Sequence, residues 1–316
     1  MRGIPRRAAL AGGLALPALS RAARGQGTLR LIVPFAAGGA NDDAMRAIAG
    51  AAARHLREPI MVENRPGKRG VRAVAGLAAL APDAPVLAQL PVSVIRAALT
   101  ETPLFEAARD TTPVIGLAGR AFGCIAAAGR FPEGWAGFLA EARQRPSALS
   151  YGSPGPASTA HLTMARLMLR EQVEVAHVPF RGATHGMRAL VAGDVDVMAG
   201  PIQIGEAVDA GQAVWLNLWT AQRLPRWPEA PTLLELGYRL VVTAPFGIVA
   251  PPGLAPARRA ALHDAFRAAL RDATVREVLD RLGMIEDYRD GPAYAAFLAE
   301  TTQMEELAIG RLGLQP

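Results

Sequence analysis

Two glycine-bearing segments each stand where an apolar run gives way to a helical pattern, and both carry groups that suit an anion. The first is Pro34, Phe35, Ala36, Ala37, Gly38, Gly39, Ala40, Asn41, Asp42. A strand that ends in a Gly-Gly loop and opens into a helix leaves backbone N–H groups unpaired at the positive end of the helix dipole. Glycines there let a ligand reach the backbone, because no side chain stands in the way. The same residues also read as an ordinary β–α turn with Asn41 or Asp42 as cap, and the pattern alone leaves both readings open. No G-x-G-x-x-G stands here and no G-x-x-x-x-G-K-[ST] anywhere, which disfavours dinucleotide and P-loop chemistry.

The second segment runs Tyr151, Gly152, Ser153, Pro154, Gly155, Pro156, Ala157, Ser158, Thr159, Ala160, His161. Ser153, Ser158 and Thr159 offer hydroxyls beside free N–H groups, and two such loops could face each other across a cleft. Ser153 is not in a G-x-S-x-G elbow, since Gly152 directly precedes it. A secreted hydrolase using Ser153 with His161 would lack an orienting acid. Helix capping for the serines, and a structural hydrogen bond for His161, outweigh catalysis.

The other histidines, His55, His177, His185 and His263, show no H-E-x-x-H spacing, and Cys124 is the one cysteine. A metal site is therefore unsupported, no cofactor is expected, and Cys124 reads as a small buried hydrophobe. His177 to Gly182 ends a strand, so Phe180 and Arg181 fall at a carboxyl end, where α/β ligand crevices form. The bland alternative is a buried aromatic beside a solvated arginine. Asp196 reads equally as a structural acceptor or a ligand contact, and Trp215, Trp219 and Trp227 read as packing. Arginines are scattered and form no stripe, which argues against nucleic acid.

Charge must be corrected for position. The 316 residues are 51% hydrophobic, with 34 Lys+Arg against 28 Asp+Glu, a formal charge of +6 and a pI near 10.3. Arg2, Arg6, Arg7, Arg21 and Arg24 all lie in residues 1–25, which hold no acid, so the remainder carries +1. That segment has a charged start, an apolar run over 8–19 and small residues at Ala22, Ala23 and Gly25, the order of a secretory signal peptide. Its apolar run is shorter than the roughly 20 residues a spanning helix needs. Arg6-Arg7 also allows a twin-arginine signal, and cleavage after Gly25 or Ser20 fits.

These groups require a scaffold that presents strand ends. Strands are expected at 29–35, 60–63 and 86–90, with helices at 44–56 and 71–80, the alternation of an α/β unit with a parallel sheet. A second set begins near Gly119, with strands at 122–127, 149–151, 173–178, 195–199 and 213–219 and helices at 134–144, 159–170 and 183–192. The run 241–250 reads as a strand crossing back, and helices at 256–271, 274–282 and 292–311 close the chain. The division expected is a signal peptide at 1–25, one discontinuous α/β domain of 26–118 with 243–316, and a second α/β domain of 119–242.

Seven motifs in order resemble one family. They are Leu31 to Phe35 with Gly38-Gly39 and Asp42; Val62 to Gly67; Tyr151 to Ser153 with Gly155 and His161-Leu162; His177 to Gly182; Val195-Asp196; Pro231-Thr232; and Phe246 to Pro251. The chain resembles the Bug family, periplasmic solute-binding receptors of tripartite tricarboxylate transporters. The resemblance implies a type II periplasmic-binding-protein fold, two α/β domains closing on a small organic carboxylate. It implies membrane permease subunits as partners, no enzymatic activity and a monomer. An extracytoplasmic sensor serving a two-component kinase would look the same in sequence.

Carried over, the ligand-binding residues are Phe35, Gly38, Gly39, Asn41 and Asp42 from one loop and Ser153, Gly155, Ser158 and His161 from the other, with Phe180 and Gly200 beside them. Such a pincer of backbone amides needs no buried arginine. Asp42 is expected to cap or brace the loop, or to meet an ammonium if the ligand is an amino acid. Ala36-Ala37 replaces the usual Pro-Pro, and Pro156 removes an N–H from the second loop. Ala199-Gly200 stands where the family has Phe-Asp, so a polar contact at the distal end of the ligand is expected to be lost and a less polar acid preferred.

Overall fold

The computed structural model describes residues 27–100 and 106–311. The expected signal segment lies outside them. The first half alternates as anticipated: β1 Leu29–Val33, α1 Ala40–Leu56, β2 Ile60–Asn64, α2 Val71–Ala75 and β3 Val86–Pro91. Successive side chains of a strand point to opposite faces. Leu31 and Val33 join one apolar cluster with α1, while Ile32, between them, joins another with α2. Both faces are covered, which is why β1 reads as a nearly continuous apolar run. It pairs in parallel with β2 and β3.

Two helices follow that the sequence reading omitted, α3 Val92–Thr100 and α4 Ala107–Asp110. Next comes β4, Thr112–Ala127, sixteen residues long where only 122–127 was expected. Then α5 Gly134–Gln144, β5 Ser150–Ser153, α6 Thr159–Glu171, β6 Ala176–Pro179, α7 Ala183–Ala192, β7 Val197–Pro201, α8 Glu206–Asp209 and β8 Ala213–Leu218 build the second half. The chain returns through β9 Thr243–Ala250 and ends with α9 Pro256–Leu270, α10 Ala273–Arg281, β10 Met284–Arg289 and α11 Gly291–Arg311.

Long β4 joins the halves. Its residues up to Ala121 pair antiparallel with β9, and those from Phe122 pair with β7 and β8. Among the described residues the strand order is β2-β1-β3-β9-β4-β7-β5-β6, with β10 and β8 also pairing β4. The α/β fold class is therefore as anticipated. The second half has its own clusters on the two sheet faces, one under α5 and α6 and one under α7. Trp219 is fully buried, Trp215 and Trp227 nearly so, and Cys124 is buried with its thiol pushed up by loss of solvent.

Candidate functional site

The β1–α1 and β5–α6 loops meet. A cavity of about 460 Å³ is lined by Phe35 and Asn41 from the first and by Pro154, Pro156, Ala157, Ser158 and Thr159 from the second. Its remaining wall comes from Arg69 and Pro91, from α3, from β4 through Arg120 and Phe122, and from Pro201, Ala244, Phe246 and Met284. Three larger hollows among the described residues, one of about 670 Å³ between α6 and α11, do not contain both loops.

Asp42 organises the first loop from within. Its carboxylate accepts hydrogen bonds from the Gly38 amide at 2.9 Å, from Arg46 Nε at 3.0 Å and from Asn64 Nδ2 at 2.9 Å. Asn64 Nδ2 also donates to the Phe35 carbonyl, at 3.1 Å. Burial pushes the Asp42 carboxyl up, but these donors outweigh it and hold the group below its ordinary value. Gly38 sits at φ +75°, a left-handed conformation natural to glycine. Its amide is spent on Asp42, so it is not the free donor the sequence suggested. Gly39 is the N-cap residue of α1, without a side-chain cap. The first-turn amides of Ala40, Asn41 and Asp42 are then the ones lacking an intrahelical acceptor. Asn41 Oδ1 accepts from buried Gln89, at 3.1 Å, which leaves the Asn41 amide hydrogens for an acceptor in the cavity.

The second loop is likewise held by its own atoms. Ser158 caps α6, its Oγ accepting from the His161 amide at 3.2 Å. His161 Nδ1 accepts from the Ala157 amide at 3.0 Å, and Gly155, at φ +141°, directs its amide to Ser153 Oγ. Ser153 is fully buried, with His177 Nε2 2.7 Å from its Oγ. The imidazole next to this serine is therefore His177, not the His161 that the hydrolase reading required. Solvent does not reach the hydroxyl, which works as a brace. Free donors at this end come from the Thr159 and Ala160 amides of the first turn.

Of the sequence-derived residues, Phe35, Asn41 and Ser158 line the cavity directly, while Asp42, Ser153, Gly155 and His161 stand behind it. Phe180 and Gly200 are not on its wall. Phe180 packs toward Gly152, Gly186 and Met198, and Gly200 pairs with Gly123 within the sheet under Ile204. Asp196 takes the Ser150 amide, the Ser150 hydroxyl and Arg130, the structural role among its two readings. No cluster able to hold a metal occurs among the described residues.

The model of the tripartite tricarboxylate transporter family receptor, TctC, matches residues 44–314. The chain belongs to this family. A Cupriavidus necator relative, the UPF0065 protein in gbd 5'region, is 36% identical, with 99% of this chain and 96% of that one covered. A TctC solute-binding protein from Polaromonas superimposes with a TM-score of 0.80 at 26% identity, covering 90% of this chain and 98% of its own. MatC of Rhodopseudomonas palustris, with bound malate, gives 0.69 at 28% identity, covering 89% and 98%. TctC receptors are periplasmic solute-binding proteins, a substrate-binding family and not an enzyme family.

Sequence reasoning missed four polar cavity residues of this receptor: Arg69, Ser93, Arg96 and Arg120. Arg96 lies in the overlooked α3, where it pairs with Glu305 of α11 at 2.8 and 2.5 Å and approaches Thr159 Oγ1 at 3.4 Å. A helix reading of 92–100 would have put Arg96 within an otherwise mostly apolar stretch. Arg120 is the one charged residue in the otherwise apolar and glycine stretch from Val114 to Ala126. That interruption was the available signal.

The His161 and His177 rings stack 3.9 Å apart, with Tyr151 stacked on His177 at 4.9 Å. Burial, and then the neighbouring His161, lower His177 to about 4, and burial lowers His161 as well. In the unfolded chain His177 titrates near 6.5. Between 6.5 and about 4 the unfolded state binds a proton that the folded state refuses, so stability is complete above that window and falls as pH falls through it. The urea midpoint should drop from pH 7 to pH 5, and His177→Asn should flatten that slope. An equal slope in both proteins would remove His177 as its source.

Proposed function

We propose that this chain is a non-enzymatic periplasmic receptor that captures a small organic carboxylate and delivers it to membrane permease subunits of a tripartite tricarboxylate-type transporter. Residues 26–118 with 243–316 form one lobe and 119–242 the other, residues 1–25 are the export signal, and the mature protein acts as a monomer. The observation that carries the reading is the meeting of two helix N-termini, those of α1 and α6, in one cavity. Each terminus presents unpaired N–H groups and a partial positive charge, which together suit a carboxylate. The contacts proposed are the amides from Gly39 to Asp42, the Asn41 side chain, Ser158 and Thr159, with Phe35 covering the carbon skeleton. Malate in the similar MatC supports a small hydroxy acid or a related carboxylate as the ligand class. Ligand held by both lobes stabilises the closed form and presents a surface to the permease.

The test is a thermal-shift screen of mature protein, refolded to remove carried-over ligand, against mono-, di- and tricarboxylates and amino acids. At a hundredfold excess over Kd one ligand adds about 2.7 kcal/mol, or a rise of roughly 5 °C in Tm. No shift across the panel would overturn the reading.

A further inference from the structure

The cavity holds a cation that the amide pincer does not use. Arg120 projects from β4, in register with Ala244 of β9 on one side and Met284 of β10 on the other. Both neighbours line the same cavity, as does Phe122, two residues along on the same strand face. None of these carries a charge or a strong hydrogen-bond acceptor in its side chain. Among the described residues, the Arg120 side chain has no ion pair, hydrogen bond or ring contact, whereas the other arginines on the wall, Arg69 and Arg96, are engaged.

Burial lowers the affinity of Arg120 for its proton, yet a guanidinium stays charged in any accessible pH range. A largely buried, unpaired charge costs stability, and that cost is recovered when an anion arrives.

Resting on the carboxylate-receptor reading, we propose that Arg120 is the specificity residue of the cleft: its guanidinium pairs with a second acidic group of the ligand while the helix termini hold the first. Phe35, Phe122 and Phe246 accommodate the apolar spacer between them. A planar guanidinium donates two parallel hydrogen bonds to a carboxylate, so the site discriminates strongly against the mono-acid of equal length.

Calorimetric titration of wild type, Arg120→Met and Arg120→Lys with matched pairs tests this: succinate and butyrate, glutarate and pentanoate, adipate and hexanoate. The wild type should prefer the diacid of at least one pair by tenfold or more. Arg120→Met should reduce that ratio at least tenfold, about 1.4 kcal/mol, and Arg120→Lys should retain part of it. Ligand-free Arg120→Met should melt no lower than wild type, because an unpaired buried charge has been removed. A structural arginine would instead melt lower. Binding with an unchanged ratio overturns the assignment of Arg120 and leaves the receptor reading standing. Failure of the wild type to bind any acid overturns the receptor reading itself.

Discussion

Asp42→Ala is expected to lower folding stability by about 2 to 3 kcal/mol and to weaken carboxylate binding at least tenfold. Asp42 is 2% exposed and ties the Gly38 amide, Asn64 and Arg46 to one carboxylate. Removing it takes the acceptor from the Gly38 amide and from one of the two hydrogen bonds of Asn64 Nδ2, and loses a carboxylate's charge-assisted bonds to both. Arg46 suffers less, since it keeps Asn64 Oδ1 at 2.8 Å and is itself about half exposed. Asp42→Asn should recover little, because an amide presents an NH2 to donors that need an acceptor. The affinity loss has a separate origin. Without the brace, Gly38 and Phe35 no longer fix where the first turn of α1 points, and ordering that loop must be supplied by the ligand. Urea unfolding and titration together decide the matter: a variant within 0.5 kcal/mol of wild type and with unaltered affinity would show that Asp42 is not the brace. Its three donors also speak against direct capture of a ligand ammonium, which would have to break them.

How far the sequence led depends on which signals were local. The alternation from β1 to β3 was readable, because each strand is an apolar run closed by glycine, proline or asparagine and each helix has its own apolar stripe. Both anion loops were readable for the same reason: a strand, a glycine-bearing turn and a helix are consecutive in the chain. Among the elements that were not, three show why. α3 begins directly after β3, with no turn residue between Pro91 and Val92, so periodicity changes without punctuation. β10 is short and carries Glu286, Asp287 and Arg289, a polar composition that becomes a strand only because β4 offers it a partner. The first ten residues of β4 contain Gly116 and Gly119, which weaken a strand reading unless neighbours fill the space. Here Tyr294 and Arg289 lie over Gly116, and Thr243 over Gly119.

The glycine amides looked like the donors, but Gly38 and Gly155 turn theirs inward to Asp42 and Ser153. A loop of this kind needs internal hydrogen bonds to hold its shape, and the residues with the freest backbones are the easiest to commit to that task. The donors left over are those that geometry compels, the first-turn amides of α1 and α6. Arg120 was missed for another reason. Its environment is made by β9 and β10, more than 120 residues away in sequence, and no local pattern reports that their side chains are Ala244 and Met284.

Gly247→Ala is expected to be the most destabilising of the single substitutions argued here, by about 3 kcal/mol or more, with loss of ligand affinity besides. A Cβ at this position would lie 2.3 Å from the Ile115 carbonyl oxygen and 2.5 Å from Tyr294 Cζ. Neither neighbour yields easily. The carbonyl is part of the β4 ladder, and the tyrosine ring is buried, with its hydroxyl fixed to the Leu90 carbonyl at 2.9 Å. The strands must therefore separate where β4 and β9 already shift register, between Gly116 and Ala118. Gly116→Ala supplies the control. Its Cβ would meet Arg289 Cβ at 3.1 Å, Tyr294 Cδ2 at 3.2 Å and the Arg289 nitrogen at 3.4 Å, contacts that a small local shift relieves, so about 1 kcal/mol is expected there. The functional effect follows from the neighbour in sequence: Phe246 lies on the cavity wall, and Ala244, two residues further, flanks Arg120. Displacing β9 at Gly247 moves both relative to β4, on which Arg120 and Phe122 stand. Urea unfolding of the two alanine variants should rank Gly247 well above Gly116, and a diacid titration of the folded fraction should show the same order. Equal costs for the two would mean that the sheet relaxes freely at this crossing and that β9 does not hold the cavity wall in place.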